Sequence, residues 1–231
     1  MIGALFFEVE GVIASTSALR RAALFRALAD EGLPGAESLA DGANFAVDAE
    51  RDTRDAVRRA LRGHAIARDE TTLSLIALRA DRHFASLVQA GVSLAPGARE
   101  LLALAASRCR LAIVTGLTRA SVDSVLSLAE LDGAVEVIIA AEDVTAPKPA
   151  SDGYRKALER ASRKRPLDIT TAIALESSAA GVRAAHGAGL RCAVIVPSHA
   201  TSIAGADATL VSHVGETPAT LGAMLSIRAV G

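Results

Sequence analysis

Five short apolar runs from residue 110 onward constrain the fold of the chain more than any other feature. They are rich in β-branched residues and almost continuously hydrophobic, which is typical of parallel strands buried on both faces. Patterns with helical spacing separate them, as in residues 118–131, where Val122 and Val125 share one face. This alternation predicts an α/β fold, with a Rossmann-like parallel sheet core and helices on both faces. The predicted strands span residues 110–115, 134–140, 170–175, 191–196 and 207–211.

The first 92 residues contain one more predicted strand and a long helical insertion. Residues 5–7 form an apolar run that stops at Glu8, as a buried strand would. Residues 16–92 carry helical patterns and no convincing strand, so we expect an inserted all-helical cap domain there. The core domain would then consist of residues 1–15 and 93–231. Because both ends of the insertion join the core near one strand, the cap would lie over that strand's exit.

Composition excludes several classes of function. The 231 residues carry a net charge of −1, with no basic run and only 3% aromatic residues, so a nucleic-acid partner is not expected. No stretch approaches about 18 uninterrupted apolar residues, so no membrane span or membrane partner is expected either. Cys109 and Cys192 are isolated and lack metal-ligand spacing, which indicates reduced thiols and a cytoplasmic location.

Polar residues follow several predicted strands, at the edge of the sheet where ligands of parallel α/β proteins bind. Glu8 and Glu10 end the first strand, and because residues two apart on a strand share a face, their carboxylates could point at one place. Thr115 and Gly116 follow a later strand and offer a hydroxyl and free N–H groups, which suit a phosphate. Taken alone, each junction is equally compatible with an ordinary surface turn.

Lys148 and Glu176 complete this set of candidate residues. The chain contains only three lysines, Lys148, Lys156 and Lys164, against many arginines, and Lys148 stands between two prolines that restrict its backbone. An ammonium at this place is therefore a candidate anion ligand. Glu176 ends a predicted strand, ahead of serines that can cap the following helix.

In order and spacing, these junctions resemble the haloacid dehalogenase-like hydrolase superfamily, in the branch that contains β-phosphoglucomutase and phosphoglycolate phosphatase. The resemblance covers nearly the whole chain and implies phosphoryl transfer. A first carboxylate attacks phosphorus, a second protonates the leaving group and then activates water, and Mg²⁺ offsets negative charge. The matching segments are EVEGV at 8–12, VTG at 114–116, KP at 148–149 and ESSAAGVRAAHGAGL at 176–190.

The resemblance also implies a role for each of these residues. Glu8 stands at the position of the nucleophile and Glu10 at that of the acid/base, and Lys148 joins them as a catalytic candidate. The phosphate-binding positions are occupied by Thr115, Gly116 and Lys148. The ligand implied is a small phosphorylated metabolite.

Mg²⁺ is the cofactor that the resemblance implies. Its ligand positions are those of Glu8, Glu10, Glu176 and Ser177. Glu10 would contribute its backbone carbonyl. At three of these positions the family carries aspartate where this chain has Glu8, Glu10 and Ser177. Mg²⁺ demands hard oxygen ligands in near-ideal octahedral geometry, so replacing a carboxylate with a serine hydroxyl disfavours its binding.

The two glutamates predict a phosphatase-type site with weak or impaired turnover. A glutamate carries its carboxylate about 1.5 Å farther from the backbone than an aspartate does. A misplacement of about 1 Å in a site for in-line attack can cost roughly 100-fold in rate.

Several alternatives remain open from the sequence. The backbone at residues 8–11 could shift to absorb the longer side chains and preserve turnover. The chain could instead be a catalytically silent relative that binds a phosphate-bearing ligand or a protein partner, or it could have a purely structural role. Dehalogenase chemistry, which needs no Mg²⁺, is disfavoured by the sugar-phosphate-type segment at 176–190.

Overall fold

A six-stranded parallel sheet forms the centre of the molecule. The computed structural model describes residues 2–33, 35–36, 53–63, 66–163, 165–196, 202–212, 214, 216 and 218–224. The strands are β1 (Ala4–Phe7), β2 (Ala14–Ser15), β3 (Ser93–Leu94), β4 (Arg110–Val114), β5 (Val137–Ile139), β6 (Ala172–Glu176), β7 (Arg191–Ile195) and β8 (Ala208–Leu210). The strand order in the sheet is β5-β4-β1-β6-β7-β8, with every pairing parallel, which confirms the predicted fold class.

Helices cover both faces of this sheet, as predicted. Alternate residues of β1 divide between two apolar clusters, with Leu5 and Phe7 in one and Ala4 and Phe6 in the other. The helices are α1 (Ser17–Asp30), α2 (Thr53–Gly63), α3 (Glu70–Ala90), α4 (Ala98–Ala106), α5 (Arg119–Leu128), α6 (Asp152–Ser162), α7 (Ala179–Gly187) and α8 (Pro218–Met224). Helices α4 and α5 pack in the first cluster, and α6 and α7 pack in the second.

Helices α1, α2 and α3 form a separate apolar cluster outside the sheet. Leu24, Leu28, Leu61 and Ile76 are among its fully buried members. The short strands β2 and β3 pair antiparallel and carry the chain toward these helices and back. Within 17–33, 35–36, 53–63 and 66–92 the structure contains no strand, which agrees with an all-helical insertion. The domain boundaries at 15/16 and 92/93 stay a prediction.

Element boundaries differ from the sequence-based ones in a few places. The strand expected over 134–140 is limited to β5, because the ladder to β4 begins only at Val137. Helix α4 begins at Ala98, after Gly97 adopts a left-handed φ of 78°. Part of the helical pattern expected over 16–92 lies outside the described residues, and α2 begins at Thr53.

None of the helices in the described residues is both long and apolar enough to cross a membrane.

Candidate active site

The carboxyl ends of three neighbouring strands bring the candidate residues together. Glu8 directly follows β1, Thr115 directly follows β4, and Glu176 is the last residue of β6. Since β1 lies between β4 and β6, these three side chains start from adjacent strand ends. Lys148 reaches the same place from the loop that precedes α6.

Glu8 is buried and has a partner at both carboxylate oxygens. Its Oε1 accepts hydrogen bonds from the backbone N–H of Val9 at 2.7 Å and of Glu10 at 3.3 Å, and from the Thr115 hydroxyl. Its Oε2 accepts from the Lys148 ammonium. The side chain is 3% exposed, so water does not replace these contacts. The carboxylate is therefore held by four donors.

Lys148 lies between two buried carboxylates. Its Nζ donates to Glu8 and, at 2.6 Å, to Oε1 of Glu176. The same Nζ lies 5.6 Å from the ring centroid of Tyr154, within the range of a cation–π contact. Burial opposes the charge of Lys148, but the Glu176 and Glu8 carboxylates outweigh it and raise its pKa. The ammonium is thus protonated throughout the neutral range.

Glu176 is fully buried and only partly hydrogen-bonded. Its Oε1 accepts from both Lys148 and the Tyr154 hydroxyl, whereas its Oε2 has no hydrogen-bond partner. Burial raises the pKa of Glu176; the Glu8 carboxylate acts in the same direction and Lys148 opposes it. The carboxyl group packs so closely on α7 that a Cβ added at Gly181 would lie 2.0 Å from Oε2.

The carboxylates of Glu10 and Glu8 have different hydrogen-bond partners. The Glu10 carboxylate accepts from the Thr16 N–H at 2.7 Å, from the Thr16 hydroxyl, and from the Ser17 hydroxyl at 2.6 Å. The convergence of the two glutamates at one place therefore stays a prediction. The strand-face rule on which it rests holds within β1, which ends at Phe7, and the chain turns at Gly11 with a φ of 72°. Through these hydrogen bonds the Glu10 side chain connects the segment after β1 to the start of α1.

Ser177 and Gly116 make no direct contact with the Glu8–Lys148–Glu176 group in the hydrogen bonds described above, and each has its own neighbours. The Ser177 hydroxyl donates to the backbone carbonyl of Glu10 at 2.7 Å. The neighbouring Ser178, rather than Ser177, caps α7 by accepting from the Gly181 N–H. Gly116 lines a cavity of about 80 Å³ together with Thr115, Lys148 and residues of β5, the loop after it and the first turn of α6.

Comparison with known proteins identifies the family. A model of the haloacid dehalogenase-like hydrolase family matches residues 7–195, which include every candidate residue described above. The chain belongs to this family. Protein CbbY of Rhodobacter capsulatus is 34% identical over 202 residues, which cover 86% of this chain and 86% of that protein.

Solved structures agree with this assignment. CbbY from Rhodobacter sphaeroides in complex with phosphate has a TM-score of 0.81 at 29% identity and covers 96% of this chain and 99% of that one. A mutant of the same protein, solved in complex with xylulose-(1,5)bisphosphate, gives the same values. Two more distant structures share the fold. They are β-phosphoglucomutase from Clostridium difficile (15% identity, TM-score 0.79, 98% of both chains) and the putative HAD-hydrolase YfnB from Bacillus subtilis bound to magnesium (18%, 0.71, 98% and 99%). The family model and the CbbY relative confirm the resemblance to the haloacid dehalogenase-like family, and the β-phosphoglucomutase structure shares its fold.

The residues at the family's metal position do not fit Mg²⁺ in this arrangement. Among the described residues, no three His, Cys, Asp or Glu side chains are placed to share an ion. The Glu10 carbonyl is occupied by the Ser177 hydroxyl, and the Glu10 carboxylate faces Thr16. The free oxygen of Glu176 is packed against Gly181 of α7. An octahedral oxygen set would require several of these side chains to move.

Two residues of the site were not anticipated from the sequence. Tyr154 donates to Glu176 from the first turn of α6, and Thr16 holds Glu10. Tyr154 is the only tyrosine in the chain and lies six positions after Lys148, which is a usable signal. Thr16 carries no comparable signal, because a threonine before a helix usually indicates only an N-cap.

The buried Lys148 and Tyr154 predict a loss of stability at alkaline pH. Burial and the nearby Glu176 raise the pKa of Tyr154, and the two carboxylates raise that of Lys148. The stability that these groups contribute is complete below their unfolded-state pKa values of about 10, and it is lost as pH rises through the folded-state values. We expect the free energy of unfolding, measured by urea denaturation, to fall steadily above about pH 10. The Tyr154→Phe variant should lose less free energy of unfolding per pH unit in this range. If it loses as much as the wild-type chain, Tyr154 is not one of the groups responsible.

Proposed function

We propose that this chain binds a small phosphorylated metabolite at the site formed by Glu8, Thr115 and Lys148, and that it turns this ligand over weakly or not at all. The ligand class is supported by the CbbY structures, one with phosphate and one with xylulose-(1,5)bisphosphate. It is also supported by the hydroxyl and ammonium at Thr115 and Lys148, which suit phosphate oxygens. The cytoplasmic location expected from the sequence stays a prediction.

The contacts of Glu8 are the observation that carries the proposal of impaired turnover. A carboxylate nucleophile needs a free oxygen about 3 Å from phosphorus and in line with the leaving group. Both oxygens of Glu8 are instead engaged by Thr115, Lys148 and two backbone N–H groups. Attack would require breaking charge-assisted hydrogen bonds before the phosphate could approach.

A shift of the backbone at residues 8–11 does not restore a free carboxylate oxygen on Glu8. The Glu8 N–H donates to the Leu175 carbonyl at 3.0 Å, so the main chain at Glu8 continues the ladder between β1 and β6. The extra methylene therefore extends the carboxylate toward Thr115 and Lys148. Glu10 adds a second impediment, because its carboxylate is held by hydrogen bonds from Thr16 and Ser17, which would have to break before it could transfer a proton.

Phosphate-release and binding assays test this proposal together. We expect phosphate release from xylulose 1,5-bisphosphate, phosphoglycolate and p-nitrophenyl phosphate to stay at the background of an identically purified Lys148→Met variant, with or without Mg²⁺. We also expect a sugar phosphate, but not the parent sugar, to raise the melting temperature. Rapid Mg²⁺-dependent release that is abolished in a folded Lys148→Met protein would show that the glutamate site is an efficient enzyme. Equal responses to the sugar and its phosphate would argue against phosphate recognition.

A further inference from the structure

The carboxylate of Glu8 has the surroundings that a bound phosphate would need. Its donors come from three separate parts of the chain: the N–H groups of Val9 and Glu10 after β1, the Thr115 hydroxyl after β4, and the Lys148 ammonium before α6. Successive backbone N–H groups with a hydroxyl and an ammonium form an anion-binding arrangement. In this chain the anion present is the protein's own side chain.

The length of Glu8 explains how it reaches these donors. The backbone at Glu8 is fixed by its ladder hydrogen bond to Leu175, so the carboxylate position is set by the side chain alone. The additional methylene extends it by about 1.5 Å relative to an aspartate, into contact with Thr115 on the neighbouring strand end. An aspartate at the same place would leave part of this donor set for a ligand.

We propose that Glu8 is a tethered anion that occupies the phosphate-binding position, so that a phosphate enters only when the Glu8 carboxylate moves out. This inference rests on the proposed function, because it takes Thr115 and Lys148 as phosphate ligands. The site then exists in a closed state with Glu8 bound and an open state without it. The apparent affinity for phosphate is reduced by the fraction of molecules in the open state.

Burial makes this self-occupation strong. Glu8, Thr115 and Lys148 are 2%, 5% and 9% exposed, so the hydrogen bonds among them lie in a region of low dielectric constant. Lys148 does not depend on Glu8 alone, because it also donates to Glu176 at 2.6 Å. If the Glu8 side chain were removed, Lys148 would stay paired with Glu176, and the other donors to Glu8 would be free to bind a ligand. The fold should therefore tolerate this change.

Calorimetric titration with inorganic phosphate, at constant ionic strength, tests the tethered anion directly. We expect Glu8→Ala to bind phosphate about 10- to 100-fold more tightly than the wild-type chain, the range expected for charge-assisted hydrogen bonds. Glu8→Gln should gain less, because its amide oxygen still fills the space and accepts hydrogen bonds. Acetate, which replaces the missing carboxylate, should compete with phosphate in Glu8→Ala.

Two matched variants control this experiment. Glu136→Ala removes one negative charge from an exposed side chain just before β5, at the opposite edge of the sheet, and should leave phosphate affinity unchanged. Adding Thr115→Val to Glu8→Ala should abolish the gain, which locates the bound phosphate. Circular dichroism of each variant establishes that it is folded.

The possible results separate the inference from the proposed function. Tighter phosphate binding by Glu8→Ala, lost on adding Thr115→Val, supports both. Equal phosphate affinity of the wild-type chain and Glu8→Ala, lost in both with Thr115→Val, overturns the tethered anion and leaves phosphate recognition standing. No binding of phosphate or of any sugar phosphate by either folded protein overturns the proposed function, and the tethered anion with it.

Discussion

Phosphate release from sugar phosphates should rise at least about 100-fold when Glu8→Asp, Glu10→Asp and Ser177→Asp are combined. Each glutamate-to-aspartate change draws a carboxylate back by about 1.5 Å. At position 8 this frees the Thr115 hydroxyl and part of the Lys148 ammonium for a phosphate. At position 10 it weakens the contacts with Thr16 and Ser17 that hold the carboxylate away. Steady-state release over the substrate panel, with Mg²⁺ present, is the measurement.

The third change, Ser177→Asp, should be necessary but insufficient. It replaces the hydroxyl that donates to the Glu10 carbonyl with a carboxylate, a harder oxygen ligand for Mg²⁺. We therefore expect the gain to require Mg²⁺ and to be lost on adding Lys148→Met. A control protein with Glu136→Asp, Glu159→Asp and Ser107→Asp carries the same chemical changes at exposed positions and should stay at the wild-type level. A folded triple variant with unchanged release would show that the glutamates are not what limits turnover.

Lys148→Met should lower the free energy of unfolding by about 3–5 kcal/mol, the usual result of removing one partner from a buried ion pair. The ammonium donates to Glu8 and Glu176 at once, so its loss leaves two buried carboxylates facing each other without a cation. For a chain of this size, such a loss corresponds to a fall of about 2–4 °C in melting temperature per kcal/mol. Thermal and urea denaturation at neutral pH give both values.

Lys156→Met provides the matched control for this stability measurement. Lys156 pairs with Asp152 at 3.2 Å on the partly exposed side of α6, where a salt bridge contributes about 0–1 kcal/mol. Adding Glu8→Gln to Lys148→Met should restore part of the stability, because only one unpaired carboxylate then remains. If the Lys148→Met and Lys156→Met proteins have the same free energy of unfolding, the ion pairs of Lys148 with Glu8 and Glu176 do not stabilise the fold in the way described.

The fold could be predicted from the sequence because several independent features of the sequence indicate the same architecture. The apolar runs, helix spacing and caps such as Thr118, which accepts from Ser121, all specify parallel strands with helices between them. The strand ends that carry Glu8, Thr115 and Glu176 follow directly, since parallel strands place them along one edge. Lys148 was found through composition, because lysine is rare in this chain.

The orientation of the side chains could not be predicted in the same way. Strand periodicity places Glu10 on the same face as Glu8 but does not predict its partners, because the turn at Gly11 ends that periodicity and brings Thr16 within reach of the Glu10 carboxylate. The position of the Glu8 carboxylate depends on one methylene and on the Thr115 hydroxyl across the sheet. Sequence spacing along one strand contains no information about such contacts between strands.

The packing of Glu176 against Gly181 couples variation at these two positions. A side chain larger than hydrogen at position 181 would place its Cβ 2.0 Å from the Glu176 carboxylate, so the end of the Glu176 side chain would have to move or be shortened to make room. A shorter residue at 176 meets no such barrier and leaves space beside α7. Redesign of this strand end should therefore shorten position 176 before enlarging position 181, because the order of the two changes decides whether each intermediate can pack.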